Sequence, residues 1–254
     1  MIPVMNLALV LGVGVVMPLA LRGSPVPWLA AAAGVVISLA LPPGPLAALF
    51  VTPWVVLTVI AGVRAVLQRK PWPALVAGFA GTASLALVAS RLELTLFGIN
   101  EPIVKLTALH FTYAGAGTLA LALRLHELRP GRWSSVARVL VLIAPPLVAS
   151  GFVTRSAVGQ VGGASVMTAG VWLVALLQFP DARFGPMRWV WRVSCLSPLV
   201  AMVLGVAWAA SQYWPWIPAL TVPDMVPTHG ALNAFGFVLC GHLAARATDS
   251  VTPS

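Results

Sequence analysis

Nine mostly apolar runs, many close to the roughly 20 residues that cross a bilayer as a helix, follow one another along the 254-residue chain with only short polar turns between them. Hydrocarbon offers no water to backbone N–H and C=O groups, so each crossing segment must satisfy its own as a helix. The expected fold is therefore all-α, a polytopic transmembrane helix bundle. Its spans are expected near 3–21, 26–41, 46–63, 73–90, 103–123, 135–153, 157–177, 189–210 and 225–244. The second run is short and bounded by Gly and Pro. If it fails to cross, the count is eight and the first span reverses. Residues 1–246 read as a single transmembrane domain and 247–254 as a disordered polar tail.

Composition excludes a soluble domain. Hydrophobic residues make up 59% and charged residues 8%, against about 25% charged in soluble proteins. The net charge of +9 does not read as a nucleic-acid footprint, because the basic residues come in short clusters between apolar runs. They suit topology and contact with the headgroups of membrane lipids. Arg22, Arg64, Arg69, Lys70, Arg124, Arg129, Arg132, Arg138, Arg183, Arg188, Arg192 and Arg246 fall at one face, which the positive-inside rule makes cytoplasmic. Arg91, Lys105 and Arg155 fall at the other. The N-terminus is then outside and the C-terminus cytoplasmic. Trp28, Trp72, Trp133, Trp189 and Trp191 near the inner interface, with Trp214 and Trp216 near the outer one, match the aromatic belts of such spans. Arg22 follows the first run instead of preceding it, so the run reads as a span and not as a signal peptide.

An ionisable side chain within a bilayer costs roughly 2.5–3.5 kcal/mol on insertion scales, so each one is a candidate for function. The fifth span opens at Asn100-Glu101-Pro102 and continues through Lys105, Thr107, His110 and Tyr113. Glu101 and Lys105 are four apart and can pair on the helix surface. At α-helical spacing Thr107, His110 and Tyr113 share a face. The ninth span repeats the layout: Asp224 at the outer end, then Thr228, His229 and Asn233, the last two one turn apart. His110 and His229 are expected at similar depth. Arg155 and Gln160 flank the turn between the sixth and seventh spans. Pro145-Pro146 is expected to bend the sixth span and free backbone carbonyls. Cys195 and Cys240 show no metal or redox spacing and read as packing residues.

The stretches His110-Phe111-Thr112-Tyr113-Ala114-Gly115 and His229-Gly230-Ala231-Leu232-Asn233-Ala234-Phe235-Gly236-Phe237 resemble the two signature stretches of the YndJ-like family of bacterial integral membrane proteins. The resemblance covers about the C-terminal 160 residues. It implies a polytopic bacterial membrane protein and carries over His110, Tyr113, His229 and Asn233 as site residues. The N-terminal third resembles no family.

Histidine titrates near neutrality and a carboxylate can tune it. The expected function is an intramembrane enzyme that isomerises, cyclises or opens an epoxide of an isoprenoid, polyketide or lipid. His110, His229, Glu101 and Asp224 are the expected catalytic groups, and Asn100, Tyr113, Asn233, Thr107 and Arg155 the substrate-binding ones. The partner is a lipophilic small molecule. No nucleic acid, cofactor or metal is expected, since no His-x-x-x-His or His-Glu-x-x-His spacing occurs. A small-molecule or proton-coupled transporter and an accessory protein with structural histidines remain alternatives. Substrate and oligomeric state stay open.

Overall fold

A computed structural model describes residues 1–180, 187–218 and 220–249. Arg183 and the tail beyond Asp249 lie outside the described residues. Among these residues there are nine helices and no strand, only an isolated bridge between Leu96 and Ile99. The helices are α1 (Ile2–Ala20), α2 (Pro25–Ala40), α3 (Pro45–Leu67), α4 (Pro71–Arg91), α5 (Ile103–Leu128), α6 (Arg132–Thr154), α7 (Val158–Gln178), α8 (Arg188–Ser211) and α9 (222–249). Each begins within a turn of its expected start. Pro25, Pro45 and Pro71 occupy the first positions of their helices, where the missing N–H has no intrahelical acceptor to lose.

Seven of the nine are long and apolar enough to cross a membrane. Helix α2 falls short at 16 residues. Helix α9 is long enough, but His229, Asn233 and His242 dilute its apolar surface. The protein is an all-helical membrane protein. Its contacts sort into two compact units, 2–120 and, with Met1, 121–254, the boundary falling within α5.

In the N-terminal unit α1 packs on α2 and α5, α2 on α3, and α4 on α3 and α5. Small residues allow these approaches. A Cβ on Gly34 would sit 2.5 Å from the Phe50 carbonyl, and one on Gly12 would sit 2.7 Å from the Thr112 methyl. One end of the unit is tied together by Arg91, whose guanidinium donates to the Leu41 carbonyl (2.7 Å) and whose own carbonyl accepts from the Gly44 N–H (2.7 Å).

In the C-terminal unit α6 and α7 form a close hairpin, α8 packs on α7, and α9 packs on α8. The hairpin seam is made of glycine. Gly151 and Gly159 meet backbone to backbone, Gly163 lies against Val148, and Gly170 against Leu140 and Val141. Between membrane helices, where lipid is as apolar as leucine, such close approach replaces the hydrophobic drive to associate. Pro145 and Pro146 lie inside α6, and Pro198 inside α8, without ending either helix.

Gly151 supplies a test of this seam. A Cβ there would overlap the Gly159–Gln160 backbone, whereas one on Gly162 meets nothing within 4 Å. Gly151→Ala should destabilise the protein by about 1–3 kcal/mol through overpacking, and Gly162→Ala should leave it unchanged. Thermal melting of the two purified variants in detergent reads the difference.

Candidate functional site

His110 ends the regular α-helical part of α5, and residues Phe111–Gly117 continue with the wider π-helical pattern. Such stretches are uncommon and concentrate at functional positions. The imidazole Nδ1 lies 2.7 Å from the Leu106 carbonyl one turn back, and the ring stays accessible. A carbonyl only accepts, so Nδ1 carries the proton and Nε2 is the basic nitrogen of the neutral ring.

His229 lies within another π-helical stretch, Val226–Gly230, with Leu232–Leu239 following it, and Gly12–Val16 and Val158–Gly162 share the pattern without holding a histidine. Its Nδ1 is 2.7 Å from the Ala201 carbonyl of α8, so it has the same tautomer as His110. The ring rests on Gly205, where a Cβ would come within 2.7 Å of Cε1. Asn233 joins it as the spacing requires: its amide donates to the His229 carbonyl (3.0 Å) and lies 3.3 Å from Nδ1. With Nδ1 protonated, the bond of Asn233 is the one to the His229 backbone carbonyl, and the ring itself is held by Ala201. The two histidines belong to different compact units, and each is described within its own.

The other candidates separate. Tyr113 is buried, and its hydroxyl donates to the Ala8 carbonyl of α1 (2.7 Å). It therefore does not share an accessible face with His110, because the π-helical widening after residue 110 changes the rotation per residue. Thr107 is half-buried and donates to its own helix at Ile103 (2.9 Å). Asn100 holds the loop before α5, accepting from the Thr95 hydroxyl at 2.6 Å. Glu101 is exposed. Lys105 does not pair with it but donates to Asn6 of α1 at 2.6 Å. Arg155 takes the left-handed conformation that caps α6 (φ 52°), with an exposed side chain.

Thr221 is the N-cap of α9, and Asp224 is the third residue of its first turn. Its carboxylate accepts from both the Thr221 backbone N–H and the Thr221 hydroxyl, closing a capping box. The Thr221 hydroxyl, then the Thr221 N–H, hold the carboxyl below its ordinary range. A carboxylate kept ionised at a helix start is a poor proton donor, and the geometry assigns it to architecture. Among the described residues no three of His, Cys, Asp and Glu converge.

The sequence profile of the YndJ-like proteins matches residues 5–237. The chain belongs to the YndJ-like family. The match takes in the first helix, so the family likeness is not confined to the C-terminal 160 residues and the N-terminal third belongs to it as well. Over 169 residues, 64% of this chain, it is 28% identical to the uncharacterized membrane protein YndJ of Bacillus subtilis (strain 168). That stretch is 30% of the Bacillus protein, so the chain spans less than a third of that relative's length. No solved structure matches.

Three participants escape sequence reasoning. Asn6 leaves a trace, as the one polar amide of the first apolar run. Ala201 acts through its carbonyl and Gly205 through its missing side chain, and neither leaves a local mark.

The capping interaction of Asp224 has a defined pH response. Because its carboxyl is lowered in the folded protein, its contribution is complete above the unfolded carboxyl value near 4 and disappears as pH falls through the lower folded value. Hydrogen exchange at the α9 start, corrected for intrinsic rates, should therefore rise on acidification below about pH 4. In Asp224→Ala it should be fast already at neutral pH and lose that dependence.

Proposed function

We propose that this YndJ-like protein is a membrane-embedded enzyme that moves protons on a lipophilic substrate, with a carbonyl-tethered histidine, His110 in the N-terminal unit or His229 in the C-terminal one, as the exchanging group. The observation that carries this reading is the shared tether. Each imidazole donates Nδ1–H to a helix carbonyl at 2.7 Å, which fixes the ring and makes Nε2 the nitrogen that takes up or delivers a proton. An anchored base of this kind suits isomerisation, cyclisation or epoxide opening, in which a proton leaves one atom of the substrate and another is supplied elsewhere. Gly205 leaves room for the His229 ring. Glu101 and Asp224 have no part in this version: the first is an exposed loop-end charge and the second a member of a capping box.

A proton-coupled carrier is the second reading. The stretches Phe111–Gly117, Val226–Gly230 and Leu232–Leu239, with prolines inside α6 and α8, give the helices places to change register.

The test compares small-molecule extracts of cells producing wild-type protein with those producing His110→Gln or His229→Gln, alongside radiolabel uptake into vesicles. A product that falls at least tenfold in either variant, with insertion and melting temperature intact, supports the enzyme and identifies the histidine that acts. Lost uptake with an unchanged extract supports the carrier. Variants that match wild type in both assays would sink both. Gly205→Ala should behave like a milder His229→Gln, because the new methyl displaces the ring from Ala201.

A further inference from the structure

The first turn of α8 points one indole inward and another outward. Trp191 is buried, donates from Nε1 to the Gln178 carbonyl of α7 (3.1 Å) and packs against Cys195, Ala244 and Ala245. That anchor sets the rotation of the helix, so Trp189 faces away from the unit with 63% of its surface exposed. Val193, Leu196, Val200 and Val203 follow Trp189 on the same exposed face, at the spacing of one side of an α-helix. The stripe runs about 21 Å at 1.5 Å per residue, more than half of the roughly 30 Å hydrocarbon core of a bilayer. In a membrane protein such a face meets lipid chains, and its terminal indole marks the headgroup level. Two guanidinium groups meet at that indole. The Cζ of Arg188 lies 5.7 Å, and that of Arg192 4.7 Å, from the Trp189 ring centroid. Among the described residues neither is paired with a carboxylate. Contact with a ring face engages the delocalised charge, whereas the N–H donors lie in the guanidinium plane. Those donors stay available to an acceptor beside the ring.

We propose that Arg188, Trp189 and Arg192, with the apolar face of α8 beyond them, form a binding site for an anionic phospholipid. The phosphate oxygens accept charge-assisted hydrogen bonds from the two guanidiniums, and an acyl chain lies along Val193, Leu196, Val200 and Val203. Charge complementarity selects this occupant. Two arginines favour a headgroup with net negative charge over a zwitterionic one, whose ammonium offsets its phosphate. A second copy of α8 packed on the stripe would bring more arginines and no counter-charge, because the helix contains no acid. The site lies wholly within the C-terminal unit and is independent of the catalytic reading of His110 and His229.

The experiment measures equilibrium binding of radiolabelled phosphatidylglycerol to the purified full chain in a maltoside detergent. Unlabelled phosphatidylglycerol, phosphatidylcholine and inorganic phosphate serve as competitors. Replacing both arginines, Arg188→Gln with Arg192→Gln, should weaken binding about tenfold or more. Trp189→Leu keeps the charge and the apolar surface but removes the ring, and should weaken binding severalfold; it carries the test alone if the double variant fails to fold. Arg64→Gln with Arg69→Gln removes the same charge from exposed positions at the end of α3 and should bind like wild type. Phosphatidylcholine and inorganic phosphate should compete poorly. Unchanged binding in the folded α8 variants, or an equal loss in the α3 variant, would overturn the proposal. So would displacement by phosphatidylcholine or inorganic phosphate as strong as by phosphatidylglycerol. A detergent-stable dimer that Trp189→Leu dissociates and phosphatidylglycerol does not would assign the face to a second copy and overturn it as well.

Discussion

Helix carbonyls that accept a second hydrogen bond, from a side chain, hold the polar parts of this membrane protein in place. Within hydrocarbon an unpaired polar group is costly, and the nearest acceptors are the backbone oxygens of the helices. Tyr113 uses the carbonyl of Ala8, His229 that of Ala201, Trp172 that of Pro198, Ser194 that of Phe237 and Arg91 that of Leu41. The first four bonds each join two helices, and the last joins α4 to the turn after α2, each within one unit. A side chain held this way is oriented as well as satisfied.

Close helix approach makes these bonds possible. A tyrosine or histidine reaches a neighbouring carbonyl only where the facing residue is small. Gly12 beside Tyr113 and Gly205 beside His229 are such positions. The π-helical stretches contribute in a second way. Their wider turn shifts the rotation of the residues after them, so the side chains flanking His110 do not fall where α-helical spacing would place them. A buried Tyr113 and an accessible His110 on one helix are the outcome.

The candidate chemistry follows from the same constraint. A carbonyl tether on Nδ1 is a structural hydrogen bond, and it also selects a tautomer, so the interaction that satisfies the histidine in the membrane defines its basic nitrogen. The opposite case is Arg91, whose buried Nε finds no acceptor.

The helical class, the starts of the helices and the membrane setting were legible in the sequence, because apolar run length and proline position act locally and need no partner. The His229–Asn233 pair was legible for the same reason, since one turn of helix brings those residues together in any environment. Partners across helices were not. The spacing of Glu101 and Lys105 allowed a pair, but Asn6 on another helix offered a better-placed acceptor. Asp224 carried the mark of a functional acid, yet its preceding Thr221 makes it part of a capping box. Run length and local spacing thus determined where the apolar helices lie and which residues along them are polar. Tertiary packing alone decided which carbonyl, amide or glycine each of them meets, because those partners lie far apart in the chain and come together only when the helices pack.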